Sequence, residues 1–371
     1  MEVSDNCLNI TIGELVRIPN ELDVSTIDRI RIIKTNFPVD IDGITLYPPR
    51  PIKPPFIIED MIKHLRKNYS VSFSEREEAL AKDFFVAVNY YKFCIYPKLV
   101  DPNPSFKDVM YVYRFDNILR EHMLSLIPRI ESYIKTTWAY YSSHNYSEIC
   151  STLNISNNGY PAGLVYLNEG LYQASDLKDG RVSDMLHDLA CEVKSRRKQE
   201  LSVQHHIINY GGHIPIWAIV EQMTFGKIST LITCVKRQVR KSWVDTYFSG
   251  LDATPKSISS WINCCVVLRN ISFHGGRLYS RTFTYSPSFD DSDVAFKGYE
   301  KDDIDRIRPT LFAGLLVMKK IFTKLHKDDI KDWNKFVYIL SKHINHSSQV
   351  IKIEKMGFPD NWKQILAIET T

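Results

Sequence analysis

The 371-residue sequence lacks any run of about 18 apolar residues, so no membrane-spanning helix is expected. Its seven cysteines, at positions 7, 94, 150, 191, 234, 264 and 265, form no C-x-x-C pair and no Cys/His cluster with zinc-ligand spacing. An odd number of cysteines without a disulfide framework fits reduced thiols in a cytoplasmic protein. The opening residues Met1-Glu2-Val3-Ser4-Asp5 lack a basic stretch followed by an apolar one, so no signal peptide is expected. Also absent are G-x-x-x-x-G-K-[ST], G-x-G-x-x-G, H-E-x-x-H and G-x-S-x-G. Nucleotide hydrolysis, dinucleotide binding, zinc proteolysis and serine hydrolysis therefore have no support. Neither a cofactor nor a metal is expected, and there is no internal repeat or low-complexity tract.

What is there is an ordinary folded composition, 44% hydrophobic and 24% charged. The net charge of +4 is compatible with a nucleic-acid ligand but falls short of the basic balance that alone would argue for one. Residues 1–55 stand apart. The β-branched runs Ile30–Ile33 and Ile44–Tyr47 flank Asp40-Ile41-Asp42-Gly43, whose Asp-Gly pair is turn chemistry. Asp40 and Asp42 lack the further ligands of a calcium loop. Pro48, Pro49, Pro51, Pro54 and Pro55 then make a stiff linker. Beyond it the chain reads as all-α, an N-terminal helical region (56–205) and a C-terminal one (206–371) that together form one unit.

Helical periodicity is expected over Ile57–Lys67 and over a segment opened by a Ser74/Glu77 capping box and running to Ala87. The longest helical signal runs from Phe106 to Tyr141, with Pro128 as a kink. Further helices are expected over 184–201, after Pro215, over 229–243 following an interruption at Phe225-Gly226, and over 302–325 and 329–344. Residues 287–303 read as an acidic, turn-rich loop. The basic runs Lys194–Lys198 and Lys236–Lys241 read first as solvated faces; as phosphate contacts they would use Arg196, Arg197, Arg237 and Arg240.

The stretch Trp261–Arg281 carries the chemistry. An apolar run, Cys264–Leu268, leads into Arg269, Asn270 and, after three more residues, His274. Continued as a helix, Asn270, His274, Arg277 and Arg281 would share one face. Arg269 and His274 would lie about 140° apart, so periodicity alone does not bring them together. Gly275-Gly276 could also end the helix just past His274. An arginine and a histidine suit metal-free phosphodiester cleavage: the imidazole moves protons, the guanidinium holds the phosphate, and RNA brings its own 2′-hydroxyl nucleophile. Bare spacing does not establish this. Arg181 and His187 match a looser version of the pattern among acidic neighbours and read as a decoy.

Several blocks in this order resemble the bacterial abortive-infection family of the AbiD/AbiF type. They are F-K-D-V-M-Y-V-Y-R-F-D-N-I-L-R (106–120), I-E (130–131), Y-G-G-H-I-P-I-W-A-I-V-E-Q-M-T-F-G-K-I-S-T-L (210–231), L-R-N-I-S-F-H-G-G-R-L-Y-S-R (268–281) and M-G-F-P-D-N-W (356–362). That family is grouped with the HEPN superfamily, helical domains in which an R-x(4–6)-H motif marks metal-independent ribonucleases. The resemblance implies an antiphage effector of HEPN-like helical-bundle fold, with Arg269 and His274 as the catalytic pair and Asn270 orienting the site. It implies RNA as substrate, and a homodimer in which each half-site is completed by the second copy. Arg277, Tyr279 and Arg281 match the R-L-[YW]-x-R tail, with phosphate contact or dimer packing equally open. Two other readings stand beside it: an RNA-binding protein without catalysis that works with a structured non-coding RNA, and a phage-sensing interaction protein.

Overall fold

A computed structural model describes residues 39–41, 44–46, 54–284, 286–289, 301–347 and 349–369 of the chain. The chain divides into two units, Met1–Ile57 and Ile58–Thr371. In the first, β1 (Val39–Ile41) and β2 (Ile44–Leu46) pair antiparallel, with Ile41 opposite Ile44, so only Asp42 and Gly43 lie between them. A two-residue Asp-Gly connection is strong hairpin chemistry. The strand partner is Val39–Ile41; the run Ile30–Ile33 lies outside the described residues, as does the acidic stretch 290–300.

The second unit is all-α. It opens with α1 (Ile58–Tyr69) and α2 (Glu75–Ala87), the latter started by the expected capping box: Ser74 accepts from the Glu77 amide while the Glu77 carboxylate accepts from Ser74. The helix α3 (Phe106–His144) runs 39 residues, started by a second box between Ser105 and Asp108, with Pro128 inside it. Val109, Val112, Asp116, Leu119, Met123, Ile127, Ile130, Ile134 and Trp138 form its buried stripe at helical spacing. A carboxylate inside such a stripe is anomalous.

After α4 (Tyr146–Leu153), helices α5 (Arg181–Arg196) and α6 (Leu201–Asn209) replace the single helix expected over 184–201. Pro215 caps a short helical turn, Ile216–Ile219. The expected interruption at Phe225-Gly226 is instead the first turn of α7 (Phe225–Cys234), because the Thr224 side chain caps it on the Lys227 amide. The break falls later, before α8 (Arg237–Tyr247). There Val235 is drawn into a bridge with Tyr172, flanked by bonds from Gln173 N to Cys234 O (2.9 Å) and Lys236 N to Leu171 O (3.0 Å). Long-range pairing overrides local helical pattern at that point.

Next come α9 (Pro255–Phe273), α10 (Leu311–Phe322) and α11 (Lys327–His346); the helix expected over 302–325 is split, with Thr310, after Pro309, as the N-cap of α10. Helix α9 is the hub of the unit, packed on by α3, α7, α8 and α10. Ile258, Trp261, Ile262, Cys264, Cys265 and Leu268 are all buried along it. The α10 backbone approaches closely at Gly314, where an added Cβ would stand 2.7 Å from Leu268 Cδ1. No described helix is long and apolar enough to cross a membrane.

The start of α10 is held from outside by Gly357, which has φ +78° and where a Cβ would meet the Thr310 Cβ at 2.9 Å. Gly357→Ala combines a left-handed strain of about 1–2 kcal/mol with overpacking of about 1–3 kcal/mol. Urea unfolding is expected to show that combined loss, roughly 2–5 kcal/mol; an unmoved midpoint would contradict the packing described.

Candidate functional site

Helix α9 begins with Thr254 and Ser257 in a reciprocal cap and ends at Phe273 in a Schellman turn. His274 is the C-cap, Gly275 takes φ +64°, and the amides of Gly275 and Gly276 donate to the carbonyls of Ser272 (3.1 Å) and Ile271 (2.7 Å). Of the two readings of this stretch, the helix stops at Gly275-Gly276: the left-handed glycine turns the chain away after His274, and no helical face joins Asn270 and His274 to Arg277 and Arg281. Asn270 and His274 stay exposed at the helix end, while Arg277 and Arg281 belong to the loop beyond it.

What the structure brings together is a short surface strip. Arg269 Nη1 donates to Asn270 Oδ1 at 3.4 Å, and its guanidinium lies over the Phe273 ring, 5.7 Å from the centroid. The Phe273 ring meets His274 edge-on at 5.3 Å. Phe273 is 66% exposed, unusual for a phenylalanine beside a buried helix. Within one chain no hydrogen bond joins Arg269 to His274; Phe273 contacts both. Nothing in the residue spacing singles out Phe273.

The loop after His274 is fixed from α3. Asp116 is fully buried, and its Oδ1 accepts from the amides of Leu278 (2.8 Å) and Tyr279 (2.6 Å). Its Oδ2 accepts from the Tyr96 hydroxyl at 2.7 Å and pairs with Arg120, which also donates to Asn117 and, at 3.4 Å, to the Gly276 carbonyl. Burial, reinforced by the Asp116 charge, raises the Tyr96 hydroxyl well above an ordinary tyrosine. Burial works against the Arg120 charge, yet Asp116 and Tyr96 together hold its pKa raised. Lys92 Nζ donates to the His274 carbonyl at 3.4 Å. Two cations from the N-terminal half thus sit at the C-terminal end of α9, where carbonyls are orphaned and the helix dipole is negative.

The tail residues divide by burial. Tyr279 is fully buried and its hydroxyl accepts from the Lys352 amide at 3.0 Å, so it presents nothing to a ligand and holds the loop to the C-terminal segment. Arg277 is half-buried and donates to the Tyr279 carbonyl; Arg281 donates to the Arg277 carbonyl at 3.4 Å. Burial lowers the Arg277 pKa, with Asp116 opposing. Away from this end, Arg196 pairs with Glu192 at 2.6 Å and Arg197 donates to the Lys194 carbonyl, both at the end of α5. Arg237 and Arg240 lie on α8 beside the opposite end of α9, where Arg240 Nη1 donates to Ser259 Oγ at 3.4 Å. Arg181 pairs with Asp176 at 2.5 Å at the start of α5.

Replacing Asp116 with alanine would leave two buried amides and the largely covered Arg120 without their acceptor. Asp116→Ala is expected to lose about 3–5 kcal/mol of unfolding free energy in chemical denaturation; a loss within that of an ordinary surface change would show that the carboxylate does not hold the loop.

The family model described as Abi-like protein matches residues 59–280, which is more than half of the chain. The match reaches from α1 to Ser280 and so includes Asp116, Arg269, His274 and Tyr279; Arg281 and the block Met356–Trp362 lie beyond it. Comparison with curated proteins and with solved structures finds no match for the chain. By this match, on an all-α fold, the chain belongs to the Abi-like family of abortive-infection proteins.

Proposed function

We propose that this protein is an antiphage abortive-infection effector that acts in the cytoplasm as a HEPN-type endoribonuclease. The observation that carries the reading is the strip at the tip of an otherwise buried helix, Phe273 and His274 exposed and Arg269 half-buried beside them, with the adjoining loop locked by Asp116. An arginine and an imidazole offered together on a rigid helix end can hold a phosphodiester and shuttle its protons. In the proposed step the 2′-oxygen of the RNA attacks the adjacent phosphorus and gives up its proton. The bond from phosphorus to the 5′-oxygen breaks, and that oxygen takes a proton. The products are a 2′,3′-cyclic phosphate and a 5′-hydroxyl, without consumption of water.

His274 is the proton carrier, Arg269 holds the non-bridging oxygens as charge builds, and Asn270 steadies the guanidinium through its 3.4 Å contact. Phe273 offers a face on which an unpaired base can stack. Because Phe273 stands between Arg269 and His274 in one chain, a second copy of α9 completes each site, giving a homodimer. Arg277 and Arg281 act through the loop, and Tyr279 only through packing. A second reading, RNA binding without cleavage alongside a structured non-coding RNA, is favoured by that same separation of Arg269 from His274.

Wild-type protein incubated with total RNA in excess EDTA is expected to cut it and leave cyclic-phosphate ends. His274→Ala and Arg269→Ala are each expected to be slower by roughly 10²–10⁴-fold with unchanged thermal stability. Equal cleavage by His274→Ala would remove the catalytic assignment. Tight, salt-sensitive RNA binding with no cleavage by wild type would establish the second reading instead.

A further inference from the structure

A cleft of about 580 Å³ lies at the end of α9 remote from His274, between the first turn of that helix and α8. Its walls carry Arg237, Arg240 and Lys256, the hydroxyls of Thr233, Thr254, Ser259, Ser260 and Ser288, and the Asn263 amide; among the described residues no acidic side chain lines it. Three cations facing a shared space repel one another; Asp252 stands beside Lys256 in the adjoining hollow, outside the cleft itself. The nearby carboxylate, Asp176, is already taken by Arg181 (2.5 Å) and Gln173 (3.0 Å). Arg240 is half-buried, its Nε is covered and has no hydrogen-bond partner among the described residues, and burial lowers its pKa against the pull of Asp176. A guanidinium carries five donors in a fixed fork, and on the cleft wall Arg240 turns its Nη1 to Ser259.

The walls are held in place. Asn263 Oδ1 accepts from Ser229 Oγ at 2.6 Å, tying α9 to α7. Ser288 is pinned to α9 twice, its amide donating to Ser260 Oγ at 2.7 Å and its carbonyl accepting from Trp261 Nε1 at 2.7 Å. Arg240 is oriented by Ser259. The positive end of the α9 dipole adds to the side-chain charge. Forked guanidiniums, an ammonium and small hydroxyls are the donor set that fits the tetrahedral oxygens of a phosphate.

We infer that this cleft is a phosphate-binding site, built by Arg237, Arg240 and Lys256 with the hydroxyls of Ser259 and Ser288, and separate from the Arg269–His274 strip. Ser259, Asn263 and Asn270 fall on one face of α9, about 16 Å apart from first to last. An RNA strand would seat one of its backbone phosphates in the cleft on these donors. A free nucleotide or pyrophosphate would use the same donors. The inference does not depend on cleavage, since it concerns binding at the other end of the helix.

The test uses full-length protein carrying His274→Ala, so that no probe is cut. Calorimetric titrations with sodium pyrophosphate and with AMP, and fluorescence anisotropy with a labelled 12-nucleotide RNA, are compared before and after adding Arg237→Ala/Lys256→Ala or Arg240→Met. The double variant changes exposed side chains, and Arg240→Met keeps most of the buried volume, so both should fold. At least one probe is expected to bind, and each variant to weaken it by about tenfold or more. If RNA alone responds, with a salt slope shallower by about 0.7 for each phosphate no longer neutralised, the strand backbone is the ligand. If pyrophosphate or AMP binds and the variants abolish it, a free phosphate compound is the ligand. Binding of every probe unchanged in both variants, or no binding to the unaltered cleft, would overturn the proposal.

Discussion

One buried carboxylate holds the two halves of the helical unit in register. Asp116 sits where the periodicity of α3 would place an apolar side chain, and it takes hydrogen bonds from Tyr96, Leu278 and Tyr279 while pairing with Arg120. An ionised carboxylate out of water is tolerated only when its lone pairs are filled, and here each oxygen has two partners. Two of those donors are backbone amides of the segment after His274. The geometry of that segment is thus written into α3, more than 160 residues earlier in the chain. Tyr279 continues the tie outward through Lys352, so one loop binds α3, α9 and the C-terminal segment together.

Helix α9 itself is divided between packing and chemistry. From Ile258 to Leu268 it is packed on by four other helices and buries most of its length, which makes it a rigid mount. Its polar groups gather at the two ends. At one, the Schellman turn stops the helix so that His274 is the last residue before the chain veers off; Lys92 and Arg120 meet the carbonyls of His274 and Gly276. At the other, three cations converge on a cleft with no acid among its described walls. Side chains on a helix held this firmly need little ordering when a ligand arrives, which is the advantage of placing a site on regular structure.

Much of this was legible in the sequence wherever local chemistry decides. The capping box at Ser74 and Glu77 and the long periodic run from Phe106 led to helices in the expected places. Reading failed where distant contacts decide. Val235 leaves the helical pattern because Tyr172 pairs with it, and Gly226 stays helical because Thr224 caps the turn. Nothing local to Asp116 reveals that two amides 162 and 163 residues away need an acceptor. Sequence left open whether the helix runs on to Arg281 or stops at Gly275-Gly276, and the left-handed Gly275 ends it there; the burial of Tyr279 puts that side chain into packing within the chain. Helical spacing already sets Arg269 and His274 apart, but it does not show that the Phe273 ring touches both.

The dependence of the site on Asp116 can be read directly by amide hydrogen exchange at single-residue resolution, comparing wild type with Asp116→Ala under conditions where both are folded. The account predicts that in wild type the amides of Leu278 and Tyr279 exchange only through global opening, alongside those of buried α9 residues such as Leu268. In Asp116→Ala, which has no acceptor there, those two amides should lose protection, with the α9 core unchanged. Equal protection of Leu278 and Tyr279 in both proteins would contradict the claim that this carboxylate fixes the loop beside His274.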